Sequence, residues 1–437
     1  MTPCMAPATV SLEEVSHLAL NLGRILFESN ADTEEVERSV KRFADAFGCE
    51  AHLVITWESL LVTLSCQNEF RTKSGNRIPT IGVNMASVAA AKTLLADVEA
   101  GLTDTAKIRT RLNEIEKQPP IYKTWMVVAA LSLTAASLSR LFGGDWSTFG
   151  VAFGAAAVGT WLRLEMGRRG GNVFLSAFLG ATVSGILAGL ASLLNWSDQP
   201  TLCFLAVGMI IVPGVPLVNC VQDMIKNHMT LGLSRLGFAT LLTLSIAVGL
   251  FVATFVTGVA IPVPEDSTLL PLAEDAVFSA LAALGYLFLF NVPWRLAWVG
   301  ILCGAASHTT RTFCLHHGID IVTGSLIGAM AAGFLAAIFA GWFRAPISAF
   351  AFPGVVAMIP GSYAFRAVIG FLEIIKAGPD APVALVSETL ALSATSLLRC
   401  WRKNKNSVSP DSADAVDFFA LTSRKTRWEQ RGGLTAA

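Results

Sequence analysis

From Thr124 to Cys400 the sequence is a succession of apolar stretches, each long enough to cross a hydrocarbon core of roughly 30 Å, which takes about 20 helical residues. Lipid offers no hydrogen-bond partners, so every backbone N–H and C=O of such a stretch has to be satisfied within it, and the segment becomes a helix. Ten spans are expected, at 124–142, 146–162, 172–194, 201–222, 236–260, 273–291, 294–311, 319–341, 347–372 and 383–400. Composition agrees: of 437 residues 53% are hydrophobic and 15% charged, where soluble domains carry about 25% charged residues. Lys plus Arg and Asp plus Glu balance at 32 each, so no excess of charge points to nucleic acid or to an acidic macromolecular partner. The cysteines (Cys4, Cys49, Cys66, Cys203, Cys220, Cys303, Cys314 and Cys400) form no C-x-x-C pair and read as small buried hydrophobes, not as a disulfide or zinc framework.

Residues 1–122 read differently, as a soluble α/β domain. Leu12, Val15, Leu18, Leu22 and Ile25 recur at helical spacing. So do Val36, Val40, Phe43 and Phe47 behind an Asp32-x-x-Glu35 capping signal, with Gly48 as the stop. Strands are expected at 52–57 and 60–66, then a turn at Ser74-Gly75-Asn76 and a third strand at 78–83; helices at 85–98 and 105–117 close the domain before Pro119-Pro120. Docking or dimerisation without chemistry of its own is the expected role. The first ten residues lack a basic n-region and an apolar core, and Glu13 and Glu14 follow, so the N-terminus is expected in the cytoplasm. Eleven Lys or Arg fall in the loops 163–171, 223–235, 291–295, 342–346 and 399–406, against three (Arg140, Arg311, Lys376) on the opposite side. That bias places both termini inside a cytoplasmic (inner) membrane. The external connection carries acids only, Glu265, Asp266, Glu274 and Asp275.

An internal repeat organises the spans. Gly180-Ala181-Thr182-Val183-Ser184-Gly185-Ile186-Leu187 aligns with Gly328-Ala329-Met330-Ala331-Ala332-Gly333-Phe334-Leu335, which brings Arg163 onto Arg311 and Asn172 onto Asp320. With one gap, Val212-Pro213-Gly214 aligns with Ile359-Pro360-Gly361. The expected architecture is therefore an α-helical integral membrane protein. A cytoplasmic α/β domain (1–122) precedes a first unit of five spans (123–260), an external loop (261–272), a second unit of five spans (273–401) and a cytoplasmic tail (402–437). Five is odd, so the second unit enters the membrane inverted, the plan of secondary transporters whose sites lie at interrupted helices near the midplane.

The fourth span contains Pro213, Gly214 and Pro216 near its middle. Proline removes an amide donor and clashes with the preceding turn, so the helix breaks there. Amides from Val215 to Val218 at the start of the second half-helix would suit a carboxylate. Asn219 and Asp223, four residues apart with Gln222 adjacent, share a face below the break. A carboxylate at the bilayer centre costs roughly 2.5–3.5 kcal/mol, so Asp223 faces a cavity or a partner there, or else caps in the cytoplasmic headgroup region. The ninth span repeats the device with Pro353-Gly354, Pro360-Gly361, Tyr363 and Arg366, the last aligned with Asn219. Arg366 is either a carboxylate clamp or a structural partner of Asp223 or Glu388. Glu388, near the start of the tenth span, either accepts a coupling proton or caps at the outer interface. His308, His316 and His317 gather at the outer end of the seventh span and read as interfacial polar residues. No Walker A motif or Gly-rich phosphate loop supports ATP-driven pumping.

Three motifs together resemble the threonine/serine exporter family: Leu22-Gly23-Arg24-Ile25-Leu26-Phe27 with Ala31-Asp32-Thr33-Glu34-Glu35-Val36-Glu37, Pro213-Gly214-Val215-Pro216-Leu217-Val218-Asn219 with Asp223, and Ile359-Pro360-Gly361 with Tyr363 and Arg366. The resemblance covers about residues 12–400 and departs from the family at Val83-Asn84-Met85-Ala86. It implies a cytoplasmic domain ahead of ten spans, and export of threonine and serine driven by the proton motive force with the proton as coupling ion and no other cofactor. Some relatives are associated with dicarboxylates such as succinate. Expected partners are the small-molecule substrate and membrane lipid, with no nucleic acid; a homo-oligomer is left open. The competing reading is a membrane-tethered hydrolase using Ser59 or Ser65, His52 and Asp45, but no nucleophile-elbow sequence frames either serine.

Overall fold

The computed structural model describes residues 11–66, 69–76, 82–197, 199–259, 269–343 and 347–356, with Gly370 and Ile374. All elements below lie in the compact unit Met1–Ile369. Most of the expected ninth span and all of the tenth fall outside the described residues, and with them Pro360, Gly361, Tyr363, Arg366 and Glu388.

Helix α1 (Leu12–Glu28) starts where Ser11 Oγ accepts from the Glu14 amide at 3.2 Å, and α2 (Thr33–Ala46) where Asp32 accepts from the Glu35 amide at 2.9 Å. Gly48, at φ 72°, ends the second as its sequence context predicts. Strands β1 (Glu50–Ile55), β2 (Ser59–Cys66) and β3 (Glu69–Asn76) form an antiparallel sheet in chain order. Alternation turns Leu60, Val62 and Leu64 of β2 into the core, beneath Leu18, Leu22 and Leu26 of α1. Ser74-Gly75-Asn76 is not a turn. It is the end of β3, paired residue for residue with Leu61, Leu60 and Ser59, and Gly75 runs directly under the Leu20 side chain of α1. Of the strand expected at 78–83, Gly82 and Val83 are irregular and 78–81 lie outside the described residues. Helices α3 (Met85–Glu99) and α4 (Thr105–Lys117) complete the domain.

The membrane region comprises α5 (Thr124–Leu141), α6 (Trp146–Arg168), α7 (Val173–Leu193), α8 (Pro200–Met209), α9 (Gly214–Ile225), α10 (Met229–Thr257), α11 (Leu272–Leu289), α12 (Trp294–His316), α13 (Ile321–Phe343) and α14 (Ile347–Val356). Among the described residues five helices are long and apolar enough to cross a membrane (α5, α7, α10, α11 and α13), or six if the bent pair α8–α9 counts as one span. Helices α6 and α12 are 23 residues each, long enough but more polar. Three helices overrun their expected ends, so Arg163, Arg235 and Arg311, expected in loops, sit on α6, α10 and α12. Charge ends an apolar window but not a helix. Beyond Arg163, for example, α6 continues through the Glu165–Arg169 pair at 2.8 Å.

Among the described residues, three helices of one half recur in the other. Helices α5, α6 and α7 begin at Thr124, Trp146 and Val173, and α11, α12 and α13 begin at Leu272, Trp294 and Ile321, each 148 residues on. Left-handed residues recur at the same offset, Gly143 with Asn291 and Gly170 with Gly318. So does a close helix contact: a Cβ on Gly180 would lie 3.1 Å from Gly159 O and 3.3 Å from Arg163 Cβ, and one on Gly328 2.3 Å from Ser307 O and 3.4 Å from Arg311 Cβ. The counterpart helices α5 and α11 pack antiparallel. Arg140 meets Glu274 at one end (3.3 Å) and Tyr122 Oη donates to Val292 O at the other (2.8 Å). Midway, Thr134 Oγ1 donates at 3.0 Å to the carbonyl of its own counterpart, Ala282.

The N-terminal domain is not loosely tethered. Its core continues into the helical region through Val215, Leu231, Tyr286, Phe290 and Val292. Asn84, the cap of α3, accepts from Asn291 Nδ2 at 2.8 Å, while the Met85 and Ala86 amides donate to Phe290 O and Asn291 O at 2.9 and 3.1 Å.

Candidate functional site

The expected break in the fourth span is present: α8 stops at Met209, α9 starts at Gly214, and their axes differ by 58°. Pro213 occupies the cap position at φ −77°, ψ 69°, with no side-chain cap, and Pro216 falls in the first turn of α9, where its missing amide costs no helical bond. The Gly214 amide donates to Val212 O at 2.8 Å and that of Leu217 to Pro213 O at 3.2 Å. Of the amides expected to be free, only that of buried Val215 therefore remains without a backbone acceptor among the described residues. On the other side of the break, Tyr286 Oη of α11 donates to the Met209 carbonyl at 3.4 Å. Its sequence context does not single out Tyr286, a phenol in the apolar second half of its span.

One and a half turns into α9 lies Asn219, 0% exposed, whose Oδ1 and Nδ2 both lack a hydrogen-bond partner among the described residues. Gln222 Oε1 is likewise buried and unpaired there. An unmade hydrogen bond on a buried polar group costs about 1–3 kcal/mol, so this amide beside the broken helix keeps hydrogen-bonding capacity for a group outside the described residues.

Asp223, on the same face one turn further, is already paired. Its Oδ2 accepts from Arg235 Nη1 at 2.8 Å, with both side chains 3% exposed. The Arg235 guanidinium also stands 5.6 Å over the Phe27 ring of the N-terminal domain, which reaches the same end of α9 through Glu34 with Lys226 and Glu37 with His228 (3.5 Å). Asp223 thus has a partner that its sequence context does not name, because Arg235 falls outside the apolar window of its span; Arg366, the partner expected from sequence, lies outside the described residues. The signal that finds Arg235 is periodicity: Leu231, Arg235, Phe238 and Leu242 are successive members of one buried face of α10.

The histidines separate. His316 and His317 hold backbone carbonyls near the end of α12, at 3.0 and 2.8 Å. His308 is enclosed by protein: it is 4% exposed and bonded to Asp275, which is 1% exposed and not part of a solvated acidic loop. The window expected to end at Arg311 extends to His316, which carries His308 inward from the end of the helix.

A family profile described as "Putative threonine/serine exporter" matches residues 17–257, and one described as "Threonine/Serine exporter, ThrE" matches 275–395. The chain is 28% identical over 248 residues to the "Probable succinate transporter subunit YjjP" of Escherichia coli (strain K12), covering 56% of this chain and 95% of that one. It is 25% identical over 399 residues to the "Probable threonine/serine exporter" of Mycobacterium tuberculosis, covering 88% of this chain and 74% of the relative. No solved structure matches.

Proposed function

The chain belongs to the threonine/serine exporter family and is a multi-pass membrane transporter, not an enzyme, and from that premise we propose that it exports threonine and serine across the cytoplasmic membrane in exchange for protons. The observation that carries this reading is Asn219: a neutral amide, fully buried and unpaired among the described residues, beside the uncapped N-terminus of a half-helix. A zwitterion presents a carboxylate to that N-terminus and the Val215 amide, and a hydroxyl or ammonium to Asn219 and Gln222. Pro213, Gly214 and Pro216 hold the break open. Asp223 receives the ammonium, or a proton, when its pair with Arg235 opens. Glu388 is the other coupling candidate from sequence. In this reading the ten spans form two inverted five-helix units, which the antiparallel packing of α5 against α11 supports. The second unit then contributes Pro360, Gly361, Tyr363 and Arg366 from the opposite side, and both termini face the cytoplasm.

A second reading, export of dicarboxylates such as succinate, draws on the name of the Escherichia coli relative. Two helix N-termini with Arg366 would suit two carboxylates. Cells expressing the chain and fed threonine- and serine-containing dipeptides decide between them. Release of both amino acids, stopped by collapsing the proton gradient, is expected; unchanged amino-acid release with raised succinate release would replace the first reading by the second.

A further inference from the structure

Away from the break, Asp275 in the first turn of α11 is enclosed by four contacts from two helices. His308 Nδ1 of α12 lies 3.1 and 2.9 Å from its two carboxylate oxygens. Thr312, one turn along α12, donates to Oδ2 at 2.7 Å, and Ser279, one turn along α11, to Oδ1 at 3.3 Å. All four side chains are buried. Ionisable groups in this setting are expensive and are retained where protons or ions move.

The internal repeat supplies a control for a purely structural role. The counterparts of Asp275, Ser279, His308 and Thr312 in the first unit are Val127, Leu131, Thr160 and Leu164, and there α5 packs against α6 with no carboxylate or imidazole at any of the four positions. Joining this helix pair therefore does not require the charge. With Asp275 ionised, Nδ1 carries the hydrogen it shares with the carboxylate. That leaves Nε2, which has no hydrogen-bond partner among the described residues, as the atom that can take up a further proton.

We propose that Asp275 and His308, positioned by Ser279 and Thr312, form the proton-binding site that couples export to the proton gradient; the inference rests on the reading of the chain as a proton-driven exporter. In the orientation proposed above, these residues lie toward the outer end of α11 and α12, the side from which an exporter's coupling proton arrives. The proton adds to the lone pair of Nε2, giving an imidazolium against the Asp275 carboxylate, and leaves from the same atom toward the cytoplasm. The other charged or titratable groups on neighbouring turns are Glu274, held by Arg140 of α5; Arg311 and His316 on α12; and Asp320 just before α13, which accepts from the Thr323 amide. Helix α14 contributes none within 347–356.

The test uses the purified full chain in proteoliposomes, with threonine counterflow measured at one pH and threonine-evoked proton flux read by a pH-sensitive dye. For His308→Gln and Asp275→Asn, counterflow is expected to persist while proton flux falls by about tenfold or more. Thr312→Val and Ser279→Ala keep both titratable groups and are expected to stay coupled with a displaced pH profile, a change that a merely structural contact would not produce. Wild-type proton flux and pH profile in both His308→Gln and Asp275→Asn overturn the site. Absence of threonine-evoked proton flux in the wild type, with counterflow intact, overturns the proton-driven reading itself. Should the first two variants fail to insert, an unshifted pH profile in Thr312→Val and Ser279→Ala overturns the site.

Discussion

At the scale of single residues, the buried pair of Asp223 and Arg235 sets the sharpest expectation. Taking two charges out of water is tolerable only while they face each other, so Asp223→Ala strands the guanidinium and should cost about 3–5 kcal/mol of stability. Thermal unfolding in detergent checks this, and the Asp223→Arg, Arg235→Asp exchange should recover part of the loss. Asp32 behaves differently. Burial pushes its carboxyl above the ordinary range, outweighing the bond from the Glu35 amide that favours the charged form. A carboxyl raised on folding adds stability below its ordinary value, and that contribution fades as pH rises through the folded value. Asp32→Asn keeps the cap and should flatten this dependence without loss at neutral pH, whereas Asp32→Ala should cost about 1 kcal/mol. Asn219 and Asp223 were legible in the sequence because they follow a proline break at helical spacing. Arg235 was not, because a window of hydropathy ends at the first charge; Asp275 and His308 fall inside the expected spans 273–291 and 294–311, but hydropathy cannot tell a charge facing water from one facing its partner.

Among elements, helix boundaries set by capping residues were the most legible: Asp32 and Gly48 bound α2, and the expected 105–117 helix is α4 to the residue. The third strand was misplaced because Ser-Gly-Asn is turn chemistry wherever a strand has no strong alternation of its own, and β3 is exposed along most of its length. Between helices, the pairing of α5 with α11 depends on Gly285. A Cβ there would stand 1.9 Å from Thr134 Oγ1 and 2.5 Å from Ala130 O, the latter a backbone atom that cannot rotate away. Gly285→Val should force the two helices apart and lower the unfolding temperature by more than the same change at Gly237, where a Cβ would meet nothing within 4 Å.

For the whole molecule, the membrane class and the internal offset were readable from apolar length and small-residue matches, while the docking of the N-terminal domain was not. Nothing in its periodicity reveals that Asn84 will hold Asn291 or that Phe27 will cover Arg235, since both are long-range contacts. In the proposed topology, cysteine labelling from outside intact cells should reach 261–272 and miss 163–171; the reverse pattern would remove the inverted arrangement. The central proposal, that the substrate binds at the break beside Asn219, is tested most directly by measuring threonine counterflow and thermal stability together for Asn219→Ala in the reconstituted chain. Removing a buried amide that has no partner among the described residues should leave the protein as stable as before or more so, by about 1–3 kcal/mol, while exchange is lost. Wild-type exchange in a stable Asn219→Ala protein would contradict the assignment.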